Sequence, residues 1–257
     1  MNVTKLCCAA AAAVALLSAP ALAKPPAGCD VLPDNAKVKA ALQKVVNEKN
    51  NAGLDTQMWA TVVNRDGIVC VVAFSGEDRG AQWPGSRQIS AEKAHTANAF
   101  SLPGLALSTA NLYAPTQPGG SLYGLHYTSM ADPAVIFAGD AAKFGTADDP
   151  MVGKRSGGIV AFGGGLPLYD DKGKLLGAVG VSGDTACADH VIGWKLRKDL
   201  KLDFVPKGLG AGNTDNMILD YKAGASAGGF GHPSCGAGAD AVINKLQESH
   251  AVSKKAM

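Results

Sequence analysis

The distribution of apolar and polar positions predicts a short series of elements. From Asn35, the residues Val38, Leu42, Val45 and Val46 fall at i, i+4, i+7 and i+8, with Lys37, Lys39, Lys44, Glu48 and Lys49 largely opposite, which is one amphipathic helix. Asn50-Asn51-Ala52-Gly53 stops it. Two runs rich in β-branched and aromatic residues follow, Gln57 to Asn64 and Ile68 to Phe74, and Asp66-Gly67 between them reads as a hairpin turn. Ser90 is the expected N-cap of a helix from Ala91 to Phe100, closed by Pro103-Gly104. Residues 113–157 are broken by prolines and glycines and form a long irregular stretch, the kind of segment that is functional or conceals an element. Extended chain returns at Gly158–Phe162, passes through Gly163-Gly164-Gly165, and gives a second hairpin from Leu166–Tyr169 and Lys174–Ser182 around Asp170–Gly173. A helix from Thr185 to Leu200 with Asp184 as N-cap follows, and a short one near Ala239 to Glu248. Hairpins separated by helices predict one α+β domain, an antiparallel sheet built from two hairpins and flanked by helices.

The N-terminus sets the expected compartment. Lys5, an apolar run from Leu6 to Leu17 and Ala21-Leu22-Ala23 have the form of a secretory leader cut after Ala23. The run breaks at Pro20, too early to span a bilayer. The expected product is periplasmic or secreted, begins near Lys24 and carries no membrane span. Hydrophobic residues make up 47% of the chain and charged ones 18%, enough apolar material for a sizeable core. A net charge of +2 without basic runs interleaved with aromatics argues against nucleic acid as a partner. Outside the leader four cysteines remain, Cys29, Cys70, Cys187 and Cys235. An even number in an oxidising compartment points to disulfides. Three connectivities are open, and Cys29–Cys70 with Cys187–Cys235 staples each end of the chain.

Four segments in one order carry a resemblance: Trp59–Phe74, Glu92-Lys93-Ala94-His95-Thr96-Ala97, Phe162–Tyr169 and Gly177-Ala-Val-Gly-Val-Ser-Gly183. Together they resemble the GlcG/HbpS haem-binding family, over about residues 36–200. The resemblance implies a sheet with helices on its faces, assembly into homo-oligomers, and haem or another tetrapyrrole as small-molecule partner. An irregular insert at about 101–157 and a C-terminal extension at about 203–257 exceed the family pattern and suggest a disulfide-bearing branch of it.

The same residues can be read for chemistry. Gly163, Gly164 and Gly165 between two extended runs let the backbone approach either a ligand or a packed helix. No helix follows them, so they are not a dinucleotide fingerprint. His95, with Lys93 and Thr96, lies in the helix that the family pattern marks, where the three would meet a haem propionate or an iron-bound ligand, or simply solvent. His190 follows Cys187 by three residues and His232 precedes Cys235 by three, so a bridge between those cysteines would tether two imidazoles as an iron or metal site, or as a pair of structural histidines. No Gly-x-Ser-x-Gly, His-Glu-x-x-His or Cys-x-x-Cys is present, and no catalytic constellation is recognisable. The acidic pairs Asp148-Asp149 and Asp170-Asp171 read as turn residues. The function expected is haem binding in sequestration, sensing or breakdown. The alternatives are a small-metabolite enzyme or accessory factor using the glycine loop, and a non-catalytic oligomeric partner.

Overall fold

The computed structural model describes residues 25–254, so the leader expected over residues 1–23 and its cleavage after Ala23 lie outside the described residues. Four strands form one antiparallel sheet: β1 (Trp59–Asn64), β2 (Val69–Phe74), β3 (Gly165–Tyr169) and β4 (Leu175–Ser182), in the order β2-β1-β4-β3. The two hairpins join through β1 and β4, with Trp59 opposite Ser182 and Asn64 opposite Gly177. Gly67 closes the first hairpin at φ 74°, a left-handed conformation that suits glycine.

Every residue of all four strands is buried. Both faces of the sheet must therefore be covered, which explains why the strands read as continuous apolar runs rather than alternating ones. Helices α1 (Asn35–Asn47) and α6 (Ala186–Asp199) supply one cover, in which Leu42, Val45, Val191 and Leu196 share a core with Val62, Val71, Val179 and Val181. Helix α2 (Ser86–Phe100) supplies the other, setting Ala91, Ala94 and Ala97 against Val63, Val72 and Ala178. Between α2 and β3 the chain makes only single turns, among them α3 (Tyr113–Thr116), α4 (Leu125–Thr128) and α5 (Pro133–Ile136). Near the C-terminus α7 (Ala237–Asn244) and α8 (Leu246–Ser249) add Ile243 and Leu246 to the α1/α6 core.

Three expectations change in detail. Helix α2 begins a turn earlier than Ser90, and the Ser90 hydroxyl lies inside it, bonded to the Arg87 carbonyl and to Thr61 Oγ1, both at 2.7 Å. Residues 158–162 form no strand. Thr185 rather than Asp184 caps α6, accepting from Ala188 N at 3.2 Å. The Asp184 carboxylate turns instead to Leu54 N, Thr56 N and Thr56 Oγ1, holding the lead-in to β1.

Two disulfides pin the chain ends. Cys29–Cys70 ties the N-terminal lead to β2, and Cys187–Cys235 ties α6 to the loop before α7, with Cα–Cα distances of 5.5 and 6.3 Å. Closing loops of this length stabilises by about 4 kcal/mol each in the chain-entropy picture. Both margins of the sheet also receive backbone partners. Val69 on β2 donates to the Lys154 carbonyl and accepts from Gly153, and Tyr169 on β3 donates to the Leu202 carbonyl. Among the described residues no helix is long and apolar enough to cross a membrane.

Candidate functional site

The glycine loop and helix α2 form one packed unit. A Cβ at Gly180 would overlap the Ser90 carbonyl oxygen and the Ala94 nitrogen of α2, and one at Gly165 would come within 2.5 Å of the Lys93 carbonyl oxygen. Bare backbone at these positions lets the alanine face of α2 lie directly on β3 and β4. Gly164, at φ 122°, leaves room for the Lys93 ammonium, which a Cβ there would approach to 2.8 Å. Gly163 packs against the Ala186 carbonyl, Met217 and His190. The Gly163–Gly165 loop therefore encloses no hollow, because protein atoms fill the space that its missing side chains leave.

Lys93 passes from α2 to the far layer. Its Nζ donates to Asp189 Oδ2 at 2.6 Å and to the Val181 carbonyl at 3.1 Å, and lies 4.8 Å from the centre of the Phe162 ring. Asp189 also accepts from Asp184 N at 3.0 Å. Burial pushes the Asp189 carboxyl up to about 6 against the pull of the Lys93 charge, and burial likewise lowers the Lys93 ammonium. Desolvation therefore outweighs attraction on both sides of this pair, the usual balance for ions taken fully out of water. Lys93 does not meet a solvent-borne propionate here. Thr96 is also internal, donating to the Glu92 carbonyl at 2.7 Å and accepting from Val160 N at 3.0 Å. His95 is partly exposed beneath the Gly67 turn, and desolvation lowers its imidazole.

His190 and His232 are both buried. His190 Nε2 lies 3.2 Å from Asn216 Oδ1 and from Met217 N, its Nδ1 has no partner, and burial pushes its pKa down to about 4. His232 Nδ1 sits 2.8 Å from the Pro233 carbonyl, and its ring packs 5.1 Å from that of Tyr113. A carbonyl only accepts, so Nδ1 carries the hydrogen and the unpartnered Nε2 offers its lone pair. Asp189 gives no support to His190, since the carboxylate is directed to Lys93.

The more open geometry lies at the other end of α2. A hollow of about 300 Å³ is bounded by Trp59, Ile136, Phe137 and Phe144, with Arg79 and Arg87 beside them. All three guanidinium nitrogens of Arg87 are engaged, its Nε and Nη2 on Asp149 at 2.9 and 2.5 Å and its Nη1 on the Ile136 carbonyl at 2.7 Å. Its guanidinium lies 3.7 Å from the centre of the Phe144 ring. Arg79 makes no hydrogen bond or ion pair among the described residues, and its guanidinium stands 5.6 Å from the same ring. Trp59 is buried and stacks on Phe74 at 4.6 Å, yet its Nε1 finds no acceptor. An unmet donor of this kind costs about 1–3 kcal/mol until something accepts from it. Phe137 is 69% exposed, leaving an aromatic face uncovered. Local sequence pattern does not mark this lining, and Asp149 is the turn residue expected, accepting from Met151 N at 2.9 Å, while its pairing with Arg87 comes in addition. Its partner Arg87 lies 62 positions away, and the only local signal was the number of aromatics in the irregular segment.

A second, larger groove of about 490 Å³ runs between Ala114–Ser121 and Tyr221–Phe230 and is lined by glycines, prolines, alanines and serines with the aromatic rings of Tyr221 and Phe230.

Comparison with known proteins bears on these sites. No curated protein sequence matches the chain. Among solved structures, ORFY of Klebsiella pneumoniae aligns at 25% identity and a TM-score of 0.44, covering 64% of this chain and 86% of its own. A PduOC–haem complex aligns at 22% identity and 0.44, covering 64% and 89%. A double mutant of HbpS from Streptomyces reticuli aligns at 20% identity and 0.39, covering 73% and 96%. The family described as HbpS-like haem degrading proteins matches residues 34–195, which include all four strands, α1, α2, the first ten of the 14 residues of α6 and the whole lining of the Trp59 hollow. The chain belongs to the HbpS-like haem degrading protein family.

Proposed function

We propose that this chain is an exported haem-binding protein that seats part of the macrocycle in the Trp59 hollow. The observation that carries the reading is the coincidence there of an apolar, aromatic lining, an exposed aromatic face at Phe137 and an arginine side chain with no ion-pair partner among the described residues. A flat greasy ring with carboxylate arms is the ligand those three features suit, Arg79 taking a propionate and the aromatic lining meeting the ring. The hollow also lies wholly within the segment matched by the haem-related family, whereas half of the larger groove does not. Bound haem supplies iron for ligand binding or redox chemistry; the protein's part is to bind, orient and shield the ring. The lining holds no imidazole, thiolate or thioether, so this reading expects iron without a protein nitrogen or sulfur ligand. The exposed Phe137 face is where a second copy would cover the rest of the ring, which is how we read the oligomer implied by the family resemblance. The two disulfides support an oxidising compartment, and we take residues 1–23 as the removed leader and the rest as one domain.

Hemin titration of the secreted form, followed by its Soret band and by tryptophan quenching, tests the proposal. The expected result is one hemin per chain with a high-spin spectrum, and a loss of about tenfold in affinity, near 1.4 kcal/mol, in Arg79→Glu and in Phe137→Asp. Both positions are solvent-accessible enough to change without unfolding the protein. Undiminished affinity in both variants overturns the assignment. So does a low-spin spectrum lost in His190→Ala or His232→Ala.

A further inference from the structure

The bridge between α6 and the tail is surrounded by donors that a disulfide does not use. An imidazole nitrogen of His232 and the sulfurs of Cys187 and Cys235 all lie within 4.8 Å of one another. Met217 Sδ lies 3.7 Å from Cys187 Sγ. Cys187, Met217 and His232 are buried, and His232 Nε2 has no hydrogen-bond partner while Nδ1 is held by the Pro233 carbonyl. A histidine fixed through one ring nitrogen with the other left free is the arrangement that metal-binding imidazoles adopt. Ligand atoms around a metal 2.0–2.3 Å away sit roughly 3.5–4 Å apart, a spacing that Met217 and Cys187 already have and that the two sulfurs would reach on separating. Cys235 has the freedom for that, being exposed and followed by Gly236 at φ 103°.

We propose that reduction of the Cys187–Cys235 bridge uncovers a cuprous-ion site made of the two thiolates, His232 and the Met217 thioether. Thiolate and thioether together favour Cu(I), whereas zinc sites draw on thiolate, imidazole and carboxylate. The chemistry balances with a dithiol as reductant. Two electrons and two protons break the Sγ–Sγ bond to give two thiols while the dithiol closes to its own disulfide. Cu(I) then displaces both thiol protons to solvent, leaving a site with one net negative charge. The other bridge has no such role: Cys29 and Cys70 are both buried, and among the described residues no histidine or carboxylate completes a set with them. Met217, His232 and Cys235 lie beyond the family-matched residues, so the inference stands apart from the haem reading.

The secreted full chain, treated with a dithiol under anaerobic conditions and loaded with Cu(I) against bathocuproine disulfonate, provides the test. One copper per chain is expected to resist the competitor after reduction and none before it. Cys235→Ser should abolish retention, Met217→Leu should weaken it by at least about tenfold, the loss that even an outer partner causes, and Cys29→Ser/Cys70→Ser should retain it. Near-UV circular dichroism checks that each variant is folded. X-ray absorption at the copper edge of the wild-type protein is the independent readout, expected to show a sulfur-dominated shell with one nitrogen. Equal retention in wild type and Cys235→Ser, loss confined to the Cys29/Cys70 variant, or a shell of nitrogen and oxygen alone overturns the proposal.

Discussion

Helix α2 carries two buried cations, Arg87 near its start and Lys93 two turns on, and each finds a carboxylate far away in sequence, Asp149 and Asp189. At Lys93 the glycines of β3 and β4 bring helix and sheet together until no space remains, and the ion pair acts as an internal rivet between two layers. At Arg87 the neighbours are large aromatics from the irregular segment, which cannot close completely over β1 and leave a hollow beside the pair. The same chemistry serves two ends. Whether a buried charge lies in a closed layer or beside an open hollow depends on the size of the residues packed around it, small at one end and bulky at the other.

The largest expected effect falls at the closed end. Asp189→Ala strands an ammonium in a dry layer and should cost about 3–5 kcal/mol in urea unfolding, whereas Lys93→Met combined with Asp189→Leu should recover most of that loss. Arg79→Glu, at the open end, should leave the unfolding midpoint within about 0.5 kcal/mol of wild type. Equal losses from Asp189→Ala and Arg79→Glu would break the contrast. Next comes Gly180→Ala, whose new methyl group meets the backbone of α2 rather than a movable side chain. It should lower stability by about 1–3 kcal/mol in calorimetry. The smallest effect concerns pH. Burial holds His95 below its usual 6.5, so the unfolded chain takes up that proton first. Its contribution to stability is complete above pH 6.5 and lost as pH falls through the lower native value. Glu92, one turn back, is raised by burial and acts in the opposite sense, contributing below pH 4.5 and losing that contribution as pH rises through its native value. His95→Gln should therefore flatten the acid-side decline in a series of urea titrations.

Local pattern carried much of the architecture. The Val38–Val46 stripe, the Asp66-Gly67 turn and the paired apolar runs are short-range signals, and they yield α1, both hairpins and the α+β class. The start of α2 was hidden because Ser86 to Gln88 look no more helical than the loop before them, while Ser90 has the chemistry of a cap but spends its hydroxyl on Thr61. The resemblance motifs were legible as a pattern but not as a cause. Lys93, Gly164, Gly180 and Asp189 come from four places in the chain, and only the folded arrangement reveals that the glycines make way for a lysine and a helix. The hollow was illegible for the same reason, since Trp59, Phe137 and Phe144 share no local periodicity.

The taped margins of the sheet restrict how copies of this chain can meet. A strand laid against β2 would find Val69 already engaged by Gly153 and Lys154, and one laid against β3 would find Tyr169 held by Leu202. Edge-to-edge growth, the route by which exposed sheets seed fibres, is thereby hindered at one position on each flank. Copies of this chain would have to meet through side-chain surfaces such as the one around the exposed Phe137, contacts that do not extend the backbone ladder of the sheet.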